Sequence, residues 1–468
     1  MPSPSAVAAV EACLDQIESV DVLVNSVCTV NPQAVDQAAA LDAEAAAGRR
    51  RSALHGHPIL VKDNVDTADL LTTAGSLALA ERPPSADAPL VSRLRAAGLV
   101  VVGKTNLSEW ANLRDPASTS GWSAFGGLTR NPYALNRSSG GSSSGSGAAV
   151  GARLAPYAIG TETDGSITCP AAFNGCVGVK PTVGLVPADG VVPISASQDT
   201  PGPLALTVAE AAAVLTIIAD GTTDYKAAAA PDRLAGKRIG LPRNRYWGYS
   251  ALADAAAERA VELLAGAGAV IVDEADIDSM ADFGSEPELT VLLAELKAGM
   301  QRYLATRPPG GPTSLADVVA FNEEHAADEL TYFGQDFFEQ ALEGPDVGSA
   351  EYEQARAECL RCGRDEGIDA VLREHGLDAL LSPAYAPTVP IDLVNPEHHW
   401  GSCTQPAAMA GYPLVTVPAA LVHGLPVAVT FWGTARSEGT LLSLAAGYEA
   451  ARDAADGPLP PPSFPQFV

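Results

Sequence analysis

Positive charge is the scarcest resource of this chain. It carries 29 Lys and Arg against 56 Asp and Glu, a formal net charge of −27. A phosphate-binding surface needs a lysine and arginine footprint, so the balance argues against nucleic acid or an anionic membrane as partner. The plainer meaning of the acidity is a solvated, self-repelling surface. Cysteines are few, seven in number and odd. Cys359-Leu360-Arg361-Cys362 is the one close pair, in a charged helical pattern with no second pair to complete a zinc site. The seven histidines include His55-Gly56-His57 and His398-His399, and none has the i, i+4 spacing of a helical metal pair. No metal and no cofactor are therefore expected. No apolar run reaches the roughly 18 residues of a membrane span. Met1 to Ser5 lacks a basic cluster, and Glu11, Asp15 and Glu18 interrupt the first apolar stretch, so a cytoplasmic location is the expectation.

What the chain does have is 468 residues, 47% of them hydrophobic and 18% charged, as in an ordinary globular protein. Length alone would allow two or three domains. Apolar periodicity predicts helices over 5–19 and 33–47, and over 90–97 up to Gly98. Further helices are expected at 207–219, 251–265 and 437–452, with a mostly helical, charged stretch from 286 to 375. Short continuous apolar runs at 59–61, 99–102, 157–160, 238–241, 269–272, 379–381, 414–417 and 427–431 read as buried strands. Helices alternating with β-branched runs imply an α/β protein with a mixed sheet. Between 114 and 147 Gly, Ser, Thr, Asn and Pro dominate, and a loop of that length inside a compact domain is functional or disordered.

The candidate chemistry lies in and around that loop. Ser142 stands in Gly140-Gly141-Ser142-Ser143-Ser144-Gly145, and Ser166 in Thr163-Asp164-Gly165-Ser166-Ile167. Upstream, Lys62 closes the apolar run Pro58-Ile59-Leu60-Val61. A glycine-bearing turn can aim several N–H groups into one concavity, as an acyl-transfer site requires for a developing oxyanion. Lysine titrates near 10.4, so Lys62 can serve as a base only if burial favours its neutral form. Ser142 both donates and accepts, and could bridge Ser166 to Lys62. Each residue also has a plain reading: a turn serine, a Gly/Ser linker, and a strand-end lysine in solvent or paired with Asp63 or Asp66. Gly141-Ser142-Ser143-Ser144-Gly145 fits a nucleophile-elbow pattern, but no apolar strand precedes it.

Taken together these segments resemble the amidase signature family, with its serine–serine–lysine triad. Gly103-Lys104-Thr105-Asn106-Leu107-Ser108-Glu109-Trp110, Gly178-Val179-Lys180-Pro181-Thr182 and Gly424-Leu425-Pro426-Val427 extend the resemblance over nearly the whole chain. Within the family the chain is most similar to bacterial peptide amidases, through Trp110-Ala111-Asn112, Gly121-Trp122-Ser123, Thr161-Glu162-Thr163-Asp164-Gly165-Ser166 and Ser197-Gln198-Asp199-Thr200. The resemblance implies Lys62 as base, Ser142 as bridging serine after a cis Gly141–Ser142 peptide, and Ser166 as the acyl-enzyme nucleophile. It places the oxyanion hole at the N–H groups of Thr163, Asp164, Gly165 and Ser166, and gives Ser143 the task of ordering the lysine's surroundings.

Trp110, Asn112, Trp122, Phe125 and the region from His398 to Trp400 are candidate pocket residues, with core packing as the alternative for each aromatic. The implied fold is one α/β domain over 1–468: a catalytic core at about 55–205, a helical substrate-entrance region at about 225–400, and a return to the sheet at 401–455. The implied activity is hydrolysis of a carboxamide, with ammonia released from C-terminal peptide amides or small amino-acid or aryl amides. Competing readings are a biosynthetic enzyme cutting a substituted amide, a catalytically silent partner and a glutamine-type amidotransferase subunit. Glu162 and Asp164 depart from the Asp-x-Gly-Gly-Ser common at the nucleophile, which disfavours the amidotransferase. Ser139 is a further departure. Oligomeric state is left open.

Overall fold

The computed structural model describes residues 5–219, 223–397 and 401–467. Its centre is an eleven-stranded mixed sheet. In chain order the strands are β1 (Val27–Val30), β2 (Pro58–Lys62), β3 (Val100–Thr105), β4 (Tyr157–Glu162), β5 (Val177–Lys180) and β6 (Thr200–Ala205). They continue as β7 (Arg238–Gly240), β8 (Val270–Val272), β9 (Ala379–Pro383), β10 (Leu414–Val422) and β11 (Leu425–Trp432). In space they run β1-β3-β2-β4-β6-β5-β10-β11-β9-β7-β8. The β2–β3, β2–β4, β7–β8 and β7–β9 pairs are parallel and the others antiparallel.

Both faces of this sheet are covered, which is why β2, β3 and β4 read as unbroken apolar runs rather than alternating ones. Along β2, Ile59 and Val61 join one buried cluster with the 208–218, 251–266 and 438–455 helices. Leu60 points the other way, into a second cluster with the helices Ala6–Val24, Ala34–Ala46 and Ser144–Gly151. Helix ends follow local chemistry. Thr207 and Glu210 form a capping box at the start of Val208–Ile218. Gly98, at φ 86°, ends Pro89–Ala96 and turns the chain directly into β3.

Three strands of this sheet escape the apolar-run reading: β1, β5 and β6. The last, Thr-Pro-Gly-Pro-Leu-Ala, carries two prolines and lies between β4 and β5, where a missing donor is ordinarily excluded. Pro201 and Pro203 alternate, so their missing N–H groups fall on one side of the strand. The ladder to β4 runs from Thr200 to Ala205, whereas that to β5 reaches only Leu204 and Ala205. The prolines are tolerated because one ladder is short.

A third cluster sits beside the sheet, formed by the helices Glu286–Leu304, Leu315–Glu324 and Asp336–Glu343 against Trp110, Leu113 and Ile194. The Gly/Ser-rich stretch before Ser142 is ordered by two small ribbons, 122–123 with 127–128 and 130–131 with 134–138.

Candidate active site

The strand register determines what meets Lys62. Pairing of Val61 with Ile159 across β2–β4 brings the end of β2 beside Gly160 and Thr161. The Lys62 side chain is fully buried. Its Nζ lies 2.9 Å from Ser142 Oγ, 2.8 Å from Thr161 Oγ1 and 3.3 Å from the Thr161 carbonyl. No carboxylate touches it among the described residues. Burial pulls this amine down to about 7, against the attraction of Asp199 and Glu162 at longer range. An amine in that range accepts a proton from Ser142 when neutral and donates to it when charged.

Ser142 is fully buried and follows a cis Gly141–Ser142 peptide. Its carbonyl accepts from Ser108 N at 3.1 Å. Gly141 lines the cavity described below, and a Cβ there would collide with the Ser108 hydroxyl. Ser143 acts on the lysine at one remove. Its Oγ donates to the Thr161 carbonyl at 3.0 Å and accepts from Thr161 N at 3.1 Å, which holds the residue that contacts Lys62 Nζ.

Ser166 ends a loop tied at both ends. The Glu162 carboxylate accepts from Ile167 N at 2.7 Å and Thr168 N at 2.8 Å, closing residues 162–168 on themselves. Asp199 grips the middle, accepting from Thr163 Oγ1 at 2.6 Å while the N–H groups of Ile194 and Ser195 donate to its other oxygen. The Ser166 carbonyl accepts from Ser143 N at 3.1 Å, so the two serine segments are joined main chain to main chain. The N–H groups of residues 163–166 make no hydrogen bond to a described protein acceptor. Gly165 has φ 87°, and Tyr385 Oη occupies the space a Cβ would need. Only glycine fits that position.

The loop opens onto a cavity of about 290 Å³. Thr163, Asp164, Gly165, Ser166 and Gly141 line it together with the apolar Leu113, Ile194 and Leu292 and the polar Asn112, Tyr385 and Thr404. Asp164 is exposed into this space, and Thr404 donates to its carboxylate. Enclosure, together with Glu288 nearby, holds the Asp164 carboxyl well above the usual carboxylate range. Glu288 is itself held by the side-chain amides of Gln198 and Gln405.

The structure therefore brings Lys62, Ser142 and Ser143 into one network and Thr163 to Ser166 onto the adjoining cavity. Of the candidate pocket residues, Asn112 lines the cavity. Its Nδ2 donates to Ser120 Oγ at 3.2 Å, and its Oδ1 has no partner. Trp110 is buried against Phe338, Trp122 packs edge-on against Tyr332 and Phe333, and Phe125 lies off the cavity lining. His398 to Trp400 lie outside the described residues. Trp110, Ala111 and Asn112 all have positive φ (48°, 55° and 69°), a left-handed run of non-glycine residues at the cavity wall. Sequence reasoning missed Thr161 and Asp199 as site residues. Both lay inside quoted motifs, but their contacts depend on pairing between segments distant in sequence.

Comparison with known proteins agrees with this architecture. The amidase family model matches residues 8–442. The native peptide amidase of Stenotrophomonas maltophilia superimposes with a TM-score of 0.91 at 46% identity, over 98% of this chain and 96% of that one. A probable amidase of Arabidopsis thaliana is 36% identical over 94% of this chain and 86% of its own. A glutamyl-tRNA(Gln) amidotransferase subunit of Mycobacterium ulcerans is 35% identical over 97% and 95%.

Proposed function

Because this chain belongs to the amidase signature family, hydrolases that act on amide C–N bonds, we propose that it deamidates C-terminal peptide amides or small amino-acid amides through an acyl-enzyme on Ser166. The observation carrying this reading is the buried Lys62 amine, with no carboxylate contact among the described residues and 2.9 Å from Ser142, whose neighbour Ser143 donates its N–H to the Ser166 carbonyl. Ser166 Oγ attacks the amide carbon as its proton passes to Ser142 Oγ, and the Ser142 proton passes to Lys62 Nζ. The N–H groups of residues 163–166 receive the developing oxyanion. Loss of one such donor typically removes about 3–4 kcal/mol of transition-state stabilisation. Collapse of the tetrahedral intermediate breaks the C–N bond, and Lys62 returns the proton through Ser142 to the departing nitrogen, releasing ammonia. Water then adds to the ester by the same relay and frees the acid.

The cavity supports a modest acyl group. Ile194, Leu113 and Leu292 suit an apolar side chain, and Asn112 borders the same space. The amidotransferase reading is less well supported, since identity to the peptide amidase (46%) exceeds that to the amidotransferase subunit (35%).

The test is ammonia release from dipeptide amides, amino-acid amides and aryl amides, with intact-mass detection of the trapped acyl-enzyme. The proposal expects dipeptide amides to lead and the added mass to map to Ser166. Unimpaired ammonia release by Ser166→Ala, or an adduct elsewhere, overturns it.

A further inference from the structure

Away from the catalytic cavity, and sharing none of its lining, lies a second cavity of about 550 Å³. Three of its lining residues are cations, Arg233, Lys237 and Arg436, joined by the hydroxyl residues Thr223, Thr440 and Ser443. Among the described residues no acidic one is part of the lining, in a chain that has 56 acids to 29 bases. Elsewhere many arginines are taken up by carboxylates, as in Arg243 with Glu258 and Asp273 or Arg259 with Glu262 and Asp456. Arg233 and Arg436 have no carboxylate within 4.0 Å among the described residues, while Lys237 is bound to Asp378 at 2.8 Å.

Arg436 is also conformationally unusual. It has φ 63° in the turn between β11 and the Glu438–Ala455 helix, a left-handed position where glycine or asparagine is the ordinary occupant. Its N–H donates to Thr182 Oγ1 at 2.8 Å, which holds the turn in place. Strained backbone of this kind collects where function requires a particular side chain. The helix that follows presents Gly439, Thr440 and Ser443 to the same cavity, and the described residues offer no hydrogen-bond partner for the Thr440 or Ser443 hydroxyls. The Glu438 carboxylate, at the start of that helix, is buried and turned to Thr182 N at 2.7 Å rather than to the cavity.

We infer that this cavity is a binding site for a small phosphoryl-bearing anion, gripped by the Arg233 and Arg436 guanidiniums and the Thr440 and Ser443 hydroxyls. Planar guanidiniums meet phosphoryl oxygens with paired, charge-assisted hydrogen bonds. The first turn of the 18-residue Glu438–Ala455 helix borders the cavity, and the field of a helix N-terminus favours an anion there. The volume lies in the range of small-molecule sites.

The test is calorimetric titration of the full chain with pyrophosphate and with inorganic phosphate at low ionic strength. One saturable site is expected. Arg436→Gly should weaken binding by on the order of tenfold. The melting temperature should hold or rise, because glycine relieves the left-handed turn. Arg233→Gln should weaken binding similarly, and Arg50→Gln, an exposed cation outside this cavity, should change nothing. Absence of saturable binding overturns the inference. So does an equal loss in Arg50→Gln and Arg436→Gly, which would mark general attraction to surface cations. Amide hydrolysis by Arg436→Gly is expected to match wild type, so this result is independent of the catalytic reading.

Discussion

Lys62 and Lys104 stand on neighbouring strands, near the ends of β2 and β3, and neither side chain has any exposure. Burial is common to both and cannot by itself distinguish a base from a structural cation. Their surroundings do. Lys104 Nζ meets the carbonyls of Val65 and Leu71, the hydroxyls of Thr67 and Thr72, and the Asp63 carboxylate at 3.3 Å. Carbonyls and a carboxylate only accept: they serve the three N–H groups of an ammonium and have nothing to donate to the lone pair of a neutral amine. The Asp63 charge adds a direct preference for the ammonium. Lys62 has two hydroxyls, a single carbonyl at 3.3 Å and, among the described residues, no carboxylate contact. Hydroxyls can donate as well as accept, so they serve the uncharged amine equally well. A buried lysine becomes a base when the groups around it can change roles with it.

The strongest way to break this comparison is to replace each lysine with methionine, which keeps the volume and removes the charge. Lys62→Met should cut kcat/KM by on the order of 10⁴-fold, while stability holds or improves. Lys104→Met leaves Asp63 buried without its cation and should destabilise the fold by about 3–5 kcal/mol, measured by urea denaturation. Equal stability losses in the two variants would erase the distinction.

A smaller effect isolates the hydroxyl ligand. Thr161→Val keeps the carbonyl and the strand but removes the 2.8 Å contact to Lys62, and should lower kcat by roughly tenfold with KM little changed. Smaller still is the electrostatic correction. Asp199 raises the Lys62 titration by attraction, so Asp199→Asn should move the acid limb of the kcat/KM profile to lower pH. The sign is fixed: removing a negative charge makes the ammonium less favourable. The Asn side chain also grips Thr163 less firmly, so the plateau rate should fall as well.

Legibility in the sequence divided along the same physical line. Strands covered on both faces were readable because Pro58–Val61 and Leu99–Val102 are apolar at every position. The strand β6 was not, since Pro201, Gly202 and Pro203 contradict strand propensity and are accommodated only by an incomplete ladder to β5. Lys62, Ser142 and Ser166 could be singled out as residues by their Gly- and Ser-rich or apolar settings. Thr161 and Asp199 could not, because one reaches Lys62 through the β2–β4 register and the other reaches Thr163 from 36 residues away. Trp122 shows the converse. Its aromatic ring stood out in a Gly/Ser stretch, yet it packs against Tyr332 and Phe333, which lie about 210 residues further along, between the Ala326–Glu329 and Asp336–Glu343 helices.

The most direct measurement is an NMR titration of the lysine side-chain ε-methylene signals in the resting enzyme, with Lys62→Met supplying the assignment. The account predicts one lysine signal that is absent from the variant and titrates near pH 7, in step with the acid limb of kcat/KM. A Lys62 signal that stays fully protonated above about pH 9, close to the ordinary lysine value, would contradict it.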